Sequence, residues 1–415
     1  MKPSHYTCLD RFLRYVVVDT QSDPESTSFP STEKQKAFAQ LLAEELRQIG
    51  LKDVTVTEWG YVSGTLPATT AQSVPVIGLI AHMDTSPDVS GYNVKPMIHR
   101  NYQGGDIRLG KSGVTINEAD HPHLKELIGH DIVTSDGATL LGADDKAGIA
   151  EIFDALHYLI SHPEIKHGTI KVAITPDEEI GKGADHFDVA AFGADFAYTV
   201  DGETAGEVED ETFCADSVIL TINGVNVHPG YAKNKMVNAV KIASSIVMQL
   251  PRHALSPETT EDREGYIHPH YISGNEEKTV VKFLIRDFTI DGLKEKESFL
   301  KEIIESTIVH YPGSSHDFQV VEYYRNMKYK LNEDSRVVEY ALEAVRRAGL
   351  TPQRQAIRGG TDGARLCYMG LLTPNLFAGG HNFHSRQEFI SVQDMQKAVD
   401  VIIHLVSIWA EKAAQ

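Results

Sequence analysis

The chain has 415 residues, 41% of them hydrophobic and 23% charged, which suits two or three folded domains with a sizeable core. Its formal net charge of −19 argues against nucleic acid or an anionic membrane surface as the main partner. No apolar run reaches the length of a membrane span, and three widely spaced cysteines, Cys8, Cys214 and Cys367, give neither a disulfide framework nor a thiolate metal site. A reducing cytoplasm fits that cysteine usage, and any metal must be held by histidine and carboxylate groups.

Taken in chain order, residues 1–20 read as a polar start followed by an amphipathic helix, without the apolar core of a signal peptide. Thr32 to Gly50 has helical apolar spacing with a Thr start signal and a Gly stop. "VPVIGLIAHMD" (74–84) predicts a buried strand, "DDKAGIAEIFDALHYLISH" (144–162) a helix, "TIKVAITPDEE" (169–179) a strand and "ADFAYTVDG" (194–202) another. This alternation predicts an α/β sheet covered by helices. From Phe213 the texture changes to strand, helix, two strands, long amphipathic helix and strand, the split β-α-β-β-α-β order of a ferredoxin-like unit. The expected organisation is therefore an α/β domain of residues 1–212 plus 325–415, interrupted by an α+β domain of residues 213–324. After the insertion, 334–350 resumes helix and "LLTPNLFAGG" (371–380) resumes strand.

Three of these strands end in acids or histidine: His82-x-Asp84, Glu178-Glu179 and Asp201. The strand 371–380 is followed by "HNFHSRQE", with His384 four residues before Glu388, and Asp144-Asp145 opens a helix. In open α/β sheets the carboxyl ends of strands form the ligand crevice, so these residues should gather at one edge. Each is ordinary alone; their joint occurrence at strand ends is not. Two histidines and several carboxylates suit zinc, with cobalt or manganese as alternatives, in a hydrolytic site. One consistent arrangement has Asp144 bridging two ions, His82 and Asp201 completing one, and Glu179 and His384 completing the other. Two divalent ions bring +4 against −3 from the carboxylates, and a hydroxide shared between them supplies the remainder. Glu178, adjacent to Glu179 but pointing elsewhere, is then the general base. Asp84 is placed to accept from the other imidazole nitrogen of His82.

The strings "AHMDTSP", "LGADDKAG", "TPDEEIGKGADHFD", "TVDGE", "IRGGTDGARL" and "GGHNFHSRQEFI" resemble, in order and almost end to end, the peptidase T family of cytoplasmic tripeptide aminopeptidases. The resemblance implies a mixed-sheet catalytic domain of the zinc-exopeptidase type with two zinc ions and an inserted lid domain. It implies His82, Asp144, Glu179, Asp201 and His384 as metal ligands, Glu178 as base, Asp84 as the residue orienting His82, and a cis peptide between Asp144 and Asp145. It further implies that His228 of "NGVNVHPG" polarises the scissile carbonyl and that Arg358 of "IRGGTDG" grips the substrate carboxylate. The family commonly has glycine where Ser385 stands here.

An aminopeptidase must also recognise a free ammonium, and Asp177 is a candidate partner for it. The expected ligand is a small peptide, with no nucleic acid and no membrane; exposed strands of the inserted domain could pair two copies into a homodimer. Rival readings are a dipeptidase or N-acyl amino acid deacylase of the same superfamily, and a metal- or peptide-binding relative without catalysis, which the presence of Glu178 disfavours.

Overall fold

The computed structural model describes residues 7–414, so the first six residues of the stretch read for a leader lie outside the described residues. The chain divides into two compact units. One comprises the residues up to Asp210, Met327–Ala356 and Thr361 onward; the other comprises Glu211–Asn326 and Ile357–Gly360. Ile357–Gly360, expected with the α/β domain, groups instead with the inserted one.

The first unit is built on an eight-stranded mixed sheet. In chain order its strands are β1 (Lys52–Val56), β2 (Val62–Leu66), β3 (Ile77–His82), β4 (Ile170–Thr175), β5 (Phe196–Gly202), β6 (Glu207–Thr212), β7 (Gln353–Ile357) and β8 (Asn375–Phe377). In space they run β1-β2-β4-β3-β5-β8-β6-β7. β4, β3, β5 and β8 are parallel to one another, while β2 and β6 pair antiparallel on either side. Every residue of β3 is buried, as expected for a strand covered on both faces whose sequence is a continuous apolar run. On one face Ala143–Ser161 packs on β3 and β5 and Glu33–Ile49 on β1 and β2, with Cys8–Val16 and Val392–Ala413 packed on Ala143–Ser161; on the other, Phe192 of the short helix Val189–Phe192 and Leu366 of Asp362–Tyr368 pack with Ile80. Gly50 stops the second of them in the left-handed region, φ +111°, where a side chain would be strained. Among the described residues no helix is long and apolar enough to cross a membrane.

The helix Ala143–Ser161 begins with Asp144 and Asp145 in non-helical conformation, joined by a cis peptide. It reaches the sheet through Gly148, where a Cβ would run into the carbonyl oxygen of Val200 on β5 and the Asp145 carboxylate. Bare backbone at this point lets the helix and β5 approach closely enough to bring Asp144 beside Asp201.

One expected element differs. The run 371–380 is not a single strand: Asn375–Phe377 lies in the large sheet, Gly379 turns the chain at φ +89°, and Gly380–His381 joins a second, four-stranded sheet. That sheet orders Gly380–His381, Phe389–Ser391, Ile132–Thr134 and Met97–His99. His384 therefore sits in the turn of a hairpin between two short strands, itself at φ +58°. Ser385 is not among the residues with positive φ, and its hydroxyl donates to the carbonyl of Asn382 at 2.7 Å, so serine fits here without strain.

The second unit is a four-stranded antiparallel sheet in the order Tyr266–Gly274, Lys278–Asp287, Cys214–Asn223, Ser315–Tyr324. Helices Ala239–Met248 and Ile290–Ile308 bury Ile242, Ile246, Leu300 and Ile304 against Val218, Leu220, Phe283 and Ile285 of its sheet.

Replacing Gly148 by alanine forces helix and strand apart. Urea unfolding of Gly148→Ala is expected to show a loss of about 2–3 kcal/mol against the parent, the cost of overpacking against backbone that cannot yield.

Candidate metal centre

β3, β4 and β5 lie side by side and parallel, so their carboxyl ends bring His82, Glu178-Glu179 and Asp201 to one edge of the sheet. Asp144 enters from the start of its helix and His384 from the hairpin turn. His82 Nε2 lies 2.7 Å from Asp144 Oδ1 and 3.6 Å from Asp201 Oδ1. On the other side, His384 Nε2 lies 3.3 Å from Asp144 Oδ2 and 2.7 Å from Glu179 Oε2. The two oxygens of Asp144 thus face different imidazoles. Donor atoms of His82, Asp144 and Glu179 come within 4.8 Å of one another, as do those of His82, Asp145 and Asp201.

Carboxylates hold these groups from behind. Asp84 is fully buried and accepts from the N–H of Glu178 (3.0 Å) and of Glu179 (3.2 Å). Its backbone oxygen lies 3.1 Å from His82 Nδ1 and its own Oδ1 at 3.5 Å. Asp145 accepts from the N–H groups of His82 and Gly148, both at 3.1 Å, so although it belongs to the second of these groups each of its oxygens already takes a backbone N–H. Glu388 accepts from four successive N–H groups: Leu141 (2.7 Å), Gly142 (2.8 Å), Ala143 (2.7 Å) and Asp144 (3.1 Å). The spacing of Glu388 from His384 assigns it no role by itself; only the fold shows that it faces a loop more than 240 positions away.

The electrostatics show a shortage of positive charge. Burial alone would raise the carboxyl of Asp144, yet the imidazoles of His384 and His82 hold it well below the ordinary range. Burial and then the Asp144 charge push Glu179 up to about 8 and Asp201 up to about 7. Against the effect of burial, carboxylates raise His82 well above 6.5, Asp201 first, and raise His384 to about 11, Asp144 first. Protons are thus drawn to a cluster of acids that a cation would satisfy. Glu179 Oε1 is also buried without a partner among the described residues. The donor set and this orphaned oxygen fit divalent metal ions. A cavity of about 10 Å³, room for about one water, is lined by His82, Glu178, Asp201, Asp145 and Asp362.

Two of the three expected substrate contacts, Asp177 and Arg358, are spent on other partners, while the third, His228, stays open to solvent. Asp177 is fully buried at φ +56° and accepts from Ser31 N and Ser31 Oγ, both at 2.5 Å, and from Gln35 Nε2 at 2.7 Å. With its carboxylate enclosed and occupied it cannot receive a substrate ammonium, and that expectation is set aside. Arg358 lies in the second unit. Its Nη1 donates to the carbonyls of Asp262 (2.8 Å) and Glu264 (2.9 Å), and its Nη2 to Thr260 O (3.3 Å) and Oγ1 (3.0 Å). Both arms of its fork are spent on a turn, so it does not offer a bidentate grip to a carboxylate. His228, also in the second unit, is an exposed turn residue whose Nδ1 accepts from Gly230 N–H at 3.1 Å, which places the ring proton on Nε2.

Residues 135–407 match the model of peptidase family M20/M25/M40. The chain is 50% identical over 407 residues to peptidase T of Geobacillus kaustophilus, covering 98% of this chain and 99% of that one. It is also 50% identical over 405 residues to peptidase T of Desulfitobacterium hafniense, covering 97% and 98%. This chain belongs to the peptidase T family. Among solved structures it is similar in fold to the aminopeptidase PepT of Bacillus cereus, with TM-score 0.75 and 24% identity over 97% of this chain and 98% of that one. A tripeptidase of Staphylococcus aureus is comparably similar, with TM-score 0.76 and 23% identity over the same shares.

Glu388→Ala would leave four amides without an acceptor. An unfolding loss of at least about 3 kcal/mol is expected by urea titration, since each buried unsatisfied amide costs about 1–3 kcal/mol. His381, on the same hairpin, stacks between His123 (4.1 Å) and Phe389 (5.2 Å), and burial lowers its imidazole from 6.5 to about 3. The unfolded chain takes up this proton below 6.5 and the folded one does not, so the stability is present above pH 6.5 and drains away as pH falls toward 3. Between pH 6.5 and pH 5, His381→Phe is expected to lose about 2 kcal/mol less unfolding free energy than the parent.

Proposed function

We propose that His82, Asp144, Glu179, Asp201 and His384 hold two divalent cations, zinc foremost with cobalt or manganese as substitutes, and that Glu178 is the general base. The observation that carries this reading is the Asp144 carboxylate, with one oxygen 2.7 Å from His82 and the other 3.3 Å from His384. A carboxylate so placed has one oxygen for each of two ions, and Asp201 and Glu179 flank it on opposite sides. The enzyme is a tripeptide aminopeptidase.

When bound, the two ions supply Lewis acidity to the attacking water and the scissile carbonyl. Glu178 accepts the proton of that water and returns it to the leaving amine, a contribution of about 10²–10⁴-fold in rate. The water-sized cavity that Glu178 shares with His82 and Asp201 supports this role. Burial raises the Glu178 carboxyl well above its ordinary range, the direction expected of a group that must give the proton back. Asp84 positions both the His82 ring and the backbone of the glutamate pair. The second unit acts as a lid in this reading, and the Nε2–H of His228 polarises the scissile carbonyl. Three free, buried cysteines suit a cytoplasmic enzyme.

Glu178→Ala should keep its metal content by atomic absorption while turnover of a tripeptide falls at least about a hundredfold. Glu179→Ala should instead lose metal. Full turnover in Glu178→Ala would remove it as the base. Hydrolysis of N-acylated amino acids with tripeptides left intact would shift the reading to a deacylase.

A further inference from the structure

Strand β5 carries Asp201 near its carboxyl end and Phe196 at its start, roughly 16 Å apart along an extended chain. Beside Phe196 the first unit holds a second, much larger cavity of about 600 Å³, within the range of small-molecule sites. None of its lining residues belongs to the metal centre.

One wall is aromatic. The rings of Phe196 and Trp409 stack with centroids 4.8 Å apart and planes at 21°, and Tyr340 meets Trp409 edge-on at 4.7 Å and 73°. The guanidinium of Arg336 lies 5.5 Å from the Phe196 centroid and 5.8 Å from that of Trp409. Asp334 holds this guanidinium by its Nε at 2.9 Å and its Nη2 at 2.5 Å, so the group is fixed in place. Its Nη1 makes no hydrogen bond among the described residues. Lys412 also lines the cavity, and its ammonium is 3.6 Å from Glu343 Oε2, beyond hydrogen-bond reach. Asp195 lies in the same lining; its Oδ2 accepts from Val76 N–H at 2.7 Å, while its Oδ1 accepts nothing among the described residues.

We propose that this cavity is a binding site for a free α-amino acid with an aromatic or large apolar side chain. Arg336 and Lys412 have donors to spare for a carboxylate, Asp195 has an acceptor to spare for an ammonium, and the partly exposed rings of Phe196 and Tyr340, backed by the buried Trp409, offer apolar contact. A simple anion would meet Asp195 unfavourably and a simple cation would meet Arg336 and Lys412; a zwitterion satisfies both signs. The products of an aminopeptidase are of this class, so the site would let the enzyme sense them at a distance from the metal centre. The binding inference rests on the cavity alone and does not depend on the assignment of the metal ligands.

The chain has two tryptophans, Trp59 and Trp409, so Trp59→Phe leaves Trp409 as the sole indole reporter. Titrating the metal-loaded Trp59→Phe protein with L-phenylalanine should give a saturable change in Trp409 emission. Equilibrium dialysis should show the amino acid bound. N-acetyl-L-phenylalaninamide, which carries neither charge, should not compete. Asp195→Asn and Lys412→Gln, made singly, should each weaken binding at least tenfold while initial tripeptide turnover stays within twofold. An amino acid captured at the metal centre would ignore both substitutions, so undiminished binding in the two variants overturns the proposal. So does the absence of bound amino acid in dialysis.

Discussion

Four consecutive backbone N–H groups, Leu141 to Asp144, converge on the two oxygens of Glu388, and the candidate centre depends on that contact. The first amides of a helix have no partner within it, and an anion at a helix N-terminus also meets the favourable end of its dipole. Here the anion is a buried side chain, and it belongs to the same hairpin that presents His384. A single carboxylate therefore fixes two segments far apart in sequence, and the Asp144 side chain is held where one oxygen meets each imidazole. Asp84 does the corresponding work on the other side, tying His82 to the backbone of Glu178 and Glu179. Neither acid needs to touch a metal to decide where the donors stand.

With the donors so fixed, their charges become the next constraint. Three carboxylates and two imidazoles stand with neighbouring donor atoms 2.7–3.6 Å apart, all but the exposed His384 largely out of water. The response is a redistribution of protons: both imidazoles are pulled toward their charged forms, while Glu179 and Asp201 are pushed toward their neutral forms. Divalent ions would replace those protons and restore the carboxylates to their charged state. The same shortage of positive charge that makes the cluster awkward in isolation suits it to cations, as does Glu179 Oε1, which is buried without a hydrogen-bond partner among the described residues.

Much of this arrangement could be read from the sequence because the three strands that carry His82, the glutamate pair and Asp201 are largely apolar runs that stop abruptly at polar residues. Parallel strands buried on both faces have that signature, and their carboxyl ends are where ligands gather. The hairpin carrying His384 was harder to see, since its strands are two and three residues long and Gly379 redirects the chain from one sheet to another. Residues 83–142 contribute only short strands and a 3₁₀ turn, too brief for any periodicity to show. Arg358 and Asp177 were misjudged for a different reason. Both are charged residues in loops beside glycine or acid clusters, which suggests ligand contact. Their actual partners, Thr260 to Glu264 in one case and Ser31 and Gln35 in the other, lie about 95 and 145 positions away and leave no local trace.

Asp177, Glu178 and Glu179 illustrate how three adjacent acids can coexist. The left-handed conformation of Asp177 turns its side chain back into the protein, where two N–H groups and a hydroxyl of Gln35 and Ser31 surround it. That turn is closed by the N–H of Lys182 donating to the carbonyl of Asp177 at 2.9 Å, and it starts the short 3₁₀ segment Glu178–Ile180. Within that segment the N–H groups of both glutamates point to Asp84, so their side chains leave in other directions. Glu179 reaches His384, whereas Glu178 faces the small cavity it shares with His82 and Asp201. The repulsion expected of three neighbouring carboxylates is reduced by giving each a separate environment, although the Glu179 charge still helps to raise the Glu178 carboxyl. Asp177 supplies the bend, and the bend is what allows one glutamate to stand among the clustered donors while its neighbour faces the small cavity.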